Sequence, residues 1–160
     1  MAQFFVAVLL LGLASCISCI SGAPSPTAST LPQSQIGSQL SGNWINELGS
    51  TMTLIADQNG GLSGQYNSAV GNATDFYNLT GRFDTLPPSD AGISVGWVVT
   101  YNNEQRNAHS TATWSGQYFN NSSVETILTQ WLLTTSSTQA DVWESTLVGH
   151  DEFTRAEISG

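Results

Sequence analysis

The chain of 160 residues contains no lysine. Arg82, Arg106 and Arg155 are its only firm positive charges, and the formal net charge is −9. Proteins hold nucleic acid by setting a basic face against the phosphates and displacing their counterions. Three scattered arginines cannot make such a face, so nucleic acid is excluded as a partner. An anionic membrane surface is disfavoured for the same reason. Cysteine is almost absent too: Cys16 and Cys19 both lie near the start. If the chain loses that segment, the rest forms no disulfide and carries no thiol chemistry. Two separated histidines, His109 and His150, do not provide a metal site. The longest apolar run, 4–14, is too short to cross a bilayer.

That run is followed by small residues, which is the pattern of a secretory signal peptide, here 1–22. Cleavage is expected between Ser15 and Ala23, giving a secreted, extracellular protein. A second reading takes Leu13-Ala14-Ser15-Cys16 as a lipoprotein cleavage box, which would leave the protein anchored by a lipid on Cys16. Residues 23–40 are rich in Pro, Ser and Thr without a clear period and read as a flexible leader. The folded domain is expected over 41–155, with a short tail at 156–160.

Within the domain no helical period is sustained. Alternating runs predict strands near 42–47, 50–56, 62–68, 76–83, 92–101, 108–118, 124–134 and 141–150. Between them lie turn-forming clusters such as Asp57-Gln58-Asn59-Gly60-Gly61 and Asn120-Asn121-Ser122-Ser123. Eight strands with short breaks predict an all-β fold, an eight-stranded antiparallel up-and-down β-barrel, whose closure removes both sheet edges.

One pentapeptide shape recurs: LSGNW at 40–44, LSGQY at 62–66, LTGRF at 79–83 and WSGQY at 114–118. Alternate residues of a strand share a face, so the apolar residue, the glycine and the aromatic of each copy point the same way. A glycine between two large side chains leaves a gap and lets the strand bend, as a small barrel requires. If the aromatics face inward, then Asn46, Ser68, Ser110 and Asp151 do so as well. Buried polar groups need partners. Several of them beside tryptophans suggest a ligand pocket in the barrel mouth; alternatively they satisfy one another or hold water.

These residues sit in an ordered series: GNWINELGS at 42–50, YNSAVGNA at 66–73, VGW at 95–97, RNAHS at 106–110, TWSGQY at 113–118, TQWLL at 129–133 and STLVGHD at 145–151. In that order and spacing the chain resembles the avidin–streptavidin family of biotin-binding proteins, the bacterial streptavidin branch most of all. The resemblance implies a non-catalytic protein, with biotin as its ligand and no cofactor. It implies that Asn46, Ser50 and Tyr66 donate to the ureido oxygen of biotin, and that Ser68 and an ionised Asp151 accept from the ureido N–H groups. Trp114 and Trp131 would form apolar walls, with Tyr101, Leu48, Val70 and Leu133 filling the remainder. Ser110 and the backbone N–H of Asn72 would hold the valerate carboxylate, and residues 67–75 would close over the ligand. Trp143 would cap the pocket of a neighbouring subunit in a homo-oligomer, a tetramer in the family, with Gln130 and His150 packed between subunits. The implied role is sequestration of the vitamin outside the cell.

Two positions depart from the family pattern. Ala112 stands where a threonine usually meets the biotin sulfur, and Thr111 should face outward by parity. Tyr101 stands where the streptavidin branch has a wall tryptophan. Glycosylation sequons begin at Asn72, Asn78, Asn120 and Asn121. A glycan on Asn72 would obstruct the closing loop, so that site is expected to be empty; the turn at Asn120 and Asn121 is the better acceptor. Rival readings are a glycosidase-type carboxylate pair drawn from Glu47, Glu144 and Asp151, and a secreted barrel for another small ligand or a sugar. Parity turns Glu47 and Glu144 outward, against the first. The donor and acceptor set Asn46, Ser50, Tyr66, Ser68 and Asp151 favours one ureido group over the second.

Overall fold

The computed structural model describes residues 33–121 and 124–156. The signal peptide expected over 1–22, the first ten residues of the leader and the last four of the tail lie outside the described residues. Eight strands follow a short helix: β1 Gly42–Asn46, β2 Thr51–Ala56, β3 Gly61–Asn67, β4 Tyr77–Phe83, β5 Ile93–Asn102, β6 Asn107–Asn121, β7 Val124–Thr135 and β8 Thr146–Arg155. Each pairs antiparallel with its neighbour in sequence, and β8 returns to β1 to close the barrel. The up-and-down barrel read from the alternation is therefore the fold.

The repeated pentapeptide builds its interior. Leu40 and Trp44, Leu62 and Tyr66, Leu79 and Phe83, Trp114 and Tyr118 are all buried. The glycines between them admit the neighbouring strand. A Cβ on Gly64 would lie 1.8 Å from the Thr53 carbonyl oxygen, and one on Gly116 would lie 2.0 Å from that of Leu128. Any side chain there would force the strands apart.

Two expectations are corrected. The last eight residues of the supposed flexible leader form a helix, α1, Gln33–Leu40. Ile36 and Leu40 on it are buried, which supplies the apolar contact that a stretch rich in Ser and Gln seemed to lack. The helix closes one end of the barrel. Trp44 Nε1 donates to the Leu40 carbonyl at 3.0 Å. Arg155, at the end of β8, lies 4.0 Å over the Trp44 ring. Its guanidinium donates to the carbonyls of Ser41 and Gln39 and pairs with Glu125.

The second correction concerns β8, which begins at Thr146 rather than 141. Residues Gln139–Glu144 form a 3-10 helix. The Thr138 hydroxyl donates to Asp141 at 2.6 Å and turns the chain there. Trp143 therefore does not alternate with the strand residues after it. It projects from this helix and is 79% exposed.

Candidate functional site

Helix α1 stops the end where β1 starts. At the opposite end lie the close of β1, the start of β2, the close of β3 and the loop after it. Asn46, Ser50, Tyr66 and Asp151 are all buried at this end. Each is oriented by a contact that fixes what it can still offer.

Asn46 ends β1, and its Oδ1 accepts from the backbone N–H of Leu48 at 3.1 Å and of Ser50 at 2.8 Å. The β1–β2 turn thus uses up the amide oxygen and leaves the NH2 group as the interior-facing donor. Ser50 Oγ accepts from the Ala69 N–H at 3.0 Å. With a lone pair so engaged, its hydrogen remains to be donated. Tyr66, on β3, has its hydroxyl pushed up to about 12, chiefly by burial, with Ser50 hydrogen bonding in opposition. It remains a protonated donor at any physiological pH. Its ring lies 5.1 Å from Trp114.

Asp151, on β8, faces this group. Its Oδ2 accepts from Trp114 Nε1 at 2.7 Å. Burial raises the carboxyl above its ordinary range; the Trp114 N–H opposes that rise, the charge of Glu47 adds to it, and Asn46 and Trp131 oppose it further. The Asp151 backbone carbonyl is held by Thr129 Oγ1 at 3.0 Å. The result is one carboxylate acceptor opposite three oriented donors, in a low-dielectric interior where each bond is strong.

Not every expected residue joins this cluster. Trp131 does, and its ring lies over the bare backbone of Gly149, where a Cβ would be 2.2 Å from Cζ2. Leu133 and Tyr101 are half-buried and pack against the core. Leu48 and Val70 are exposed at the rim. Asn72 is exposed in the loop between β3 and β4, and Ser110 is half-buried on β6. Ser68 turns to its own loop, donating to the Val70 carbonyl at 3.0 Å. Thr111 faces outward as parity requires, with its hydroxyl 3.1 Å from that of Thr100, so it does not reach the place of Ala112. Glu47 and Glu144 are exposed, and Glu47 Oε2 accepts from the Glu152 N–H at 2.9 Å on the outer side, so neither side chain enters the interior that holds Asp151.

Sequence reasoning missed two contributors. Trp97 stacks behind Trp114 at 5.8 Å and 18°, and Thr129 steadies Asp151. Both lie on inward faces of their strands, so alternation could have marked them; only their through-space partners give them a role.

This interior, with its ordered donors and single buried carboxylate, spans the part of the chain that matches a family model. The model of the avidin family matches residues 34–156. The chain belongs to the avidin family. It is 33% identical over 125 residues to avidin of Gallus gallus, covering 72% of this chain and 77% of that one. Avidin-related protein 1 of the same species is 33% identical over 123 residues with the same coverage. Afifavidin of Afifella pfennigii is 34% identical over 94 residues, covering 59% of this chain and 57% of the other. Even α1 lies almost wholly within the family match.

Proposed function

We propose that the open end of the barrel binds biotin, without catalysis, through its ureido group. The observation that carries this is the complementarity of the buried polar set. The NH2 of Asn46, which also faces Asp151, the Ser50 hydroxyl, which also faces Tyr66, and the protonated Tyr66 hydroxyl suit one carbonyl oxygen. Three donors meeting one oxygen polarise it as an oxyanion hole does. Asp151 suits an N–H beside that carbonyl, and its ionised form makes a bond roughly twice as strong as a neutral one. Trp114, Trp131 and Leu133 supply flat apolar walls for the ring system. When the loop folds inward, Ser68 would accept from the second ureido N–H and Val70 would cover the apolar surface, while Ser110 on β6 and the Asn72 backbone N–H would hold the valerate carboxylate.

In the same reading the protein works outside the cell and withholds the vitamin from other organisms. It assembles with copies of itself as a tetramer, and Trp143 seals a neighbour's pocket. Tryptophan fluorescence titrated with biotin, beside a panel of simple sugars, tests the ligand. Quenching should saturate at one biotin per chain. A folded protein that ignores micromolar biotin, or responds to sugars alone, would overturn the reading. Light scattering after size exclusion, with and without biotin, tests the assembly.

A further inference from the structure

The loop at 68–76 carries Ser68, Val70 and Asn72, yet it is not free along its length. Its first part is tied where Ala69 donates to Ser50. Its last part is tied to the β5–β6 hairpin. Asn103 Nδ2 donates to the carbonyls of Thr74 at 2.6 Å and Phe76 at 3.2 Å. Gln105 Nε2 donates to Asp75 Oδ2 at 2.8 Å. Asp75 has φ of 63°, a left-handed conformation that Asp adopts more readily than most residues other than glycine, and it presents its carboxylate to Gln105. From the inner side, the buried Tyr77 hydroxyl accepts from the Thr74 N–H at 3.0 Å.

The hairpin that supplies these bonds is itself braced. Asn103 Oδ1 accepts from the N–H groups of Gln105 at 3.0 Å and Arg106 at 2.9 Å. Its backbone N–H donates to the Arg106 carbonyl at 3.0 Å. One side chain therefore holds its own turn by its oxygen and the neighbouring loop by its nitrogen. Between the two ties, Val70, Gly71 and Asn72 are exposed, and a Cβ on Gly71 would meet nothing within 4 Å.

We propose that Asn103 and Gln105 are positioning residues for ligand retention. By clamping 74–76 they confine the moving part of the loop to 70–72, so closure over the ligand orders few residues and reopening has little slack. This rests on the biotin reading for the ligand, but the clamp is a property of the empty protein. None of these bonds is in the pocket, and no ligand contact is assigned to either residue.

The substitution Asn103→Asp separates the two roles. It keeps the oxygen that holds the hairpin and removes the nitrogen that holds the loop. The double variant Asn103→Ala with Gln105→Ala removes the whole clamp, and Asp75→Asn keeps an acceptor for Gln105. Three measurements apply to the full chain: biotin dissociation, amide hydrogen exchange without ligand, and the thermal midpoint. Asn103→Asp and the double variant should release biotin about tenfold faster, because more chain must be ordered on closure. In Asn103→Asp exchange should rise at 70–77 alone, and in the double variant also at Gln105 and Arg106, whose N–H groups lose the Asn103 oxygen; the thermal midpoint should barely move, and Asp75→Asn should resemble the parent. Unchanged dissociation from a protein that binds biotin overturns the proposal, as does exchange that rises throughout the barrel or nowhere. If the parent chain takes no biotin, the ligand reading fails by itself, and exchange confined to the loop still decides for the clamp.

Discussion

Asp151 shows how one buried side chain couples acidity to both folding and binding. Its carboxyl is raised from the ordinary 3.8, first by burial. The native state therefore holds this proton more tightly than the unfolded chain does. Its contribution to ligand-free stability is greatest below the ordinary value and declines as pH rises through the raised one. Binding has the opposite sign, because the ionised form is the acceptor. Biotin dissociation should quicken on acidification. Asp151→Asn should abolish that dependence and weaken binding by about 1.5–3 kcal/mol, the worth of a hydrogen bond to a charged group; stopped-flow dissociation from pH 4 to pH 8, about the span that matters, measures both. Two neighbours refine the picture. Restoring the usual side chains with Ala112→Thr and Tyr101→Trp should slow dissociation, the threonine contributing about 0.5–1.5 kcal/mol. An unchanged rate would show that neither position limits affinity. Trp97 Nε1 has no protein partner among the described residues. Trp97→Phe keeps a ring behind Trp114 and should change stability by less than about 1 kcal/mol, whereas Trp97→Ala should cost about 3–5 kcal/mol.

Helix α1 and β8 meet at the stoppered end, where Arg155 serves the carbonyls of Gln39 and Ser41 at the helix end, the Glu125 carboxylate and the face of Trp44. Removing it leaves exposed carbonyls and an unpaired carboxylate at once. Arg155→Ala should lower stability by about 2–4 kcal/mol in denaturant titration, without altering the polar residues at the other end. Glu125 sits below its ordinary range, held there first by Arg155 and also by the Tyr118 hydroxyl. A depressed carboxylate contributes stability above its unfolded value, and that contribution is lost as pH falls through the folded one. Glu125→Gln should therefore flatten the acid limb of a stability profile below the ordinary value of 4.5. Asp151 acts with the opposite sign, so the two contributions offset each other where their titration ranges overlap. The repeated glycines belong to this scale as well. Gly116→Ala drives a methyl into the Leu128 carbonyl, and a thermal melt should show loss of most of the barrel's stability.

Taken whole, the barrel presents an outer wall that is poor in charge. Leu128, Leu132 and Val148 are exposed on β7 and β8, and Val142 and Trp143 stand beside them on the 3-10 helix. Apolar surface of this extent favours association, in keeping with the proposed assembly. There Trp143 would act on a pocket in another copy. Trp143→Ala should speed biotin release about tenfold or more while leaving the ligand-free thermal midpoint of an isolated barrel nearly unchanged, because a residue this exposed buries little within its own chain. Equal dissociation rates in parent and variant, at a mass of several chains, would remove that role.

Much of this molecule was legible as sequence because strand alternation is local. The spacing of apolar residue, glycine and aromatic marks which side chains face inward, and places Asn46, Tyr66, Trp114 and Asp151 on the interior. The same reasoning failed at 33–40, where burial depends on a barrel end lined by strands far along the chain. It failed again at 141–144, the expected start of β8, where the chain turns in a 3-10 helix instead of extending. What only the tertiary structure decided is orientation. Ser41 and Arg155 are 114 positions apart, and Asn103 and Thr74 are 29 apart. Whether a hydroxyl has its lone pair or its hydrogen free, how acidic Asp151 is, and where the loop is held follow from such distant partners, whose proximity no local pattern encodes.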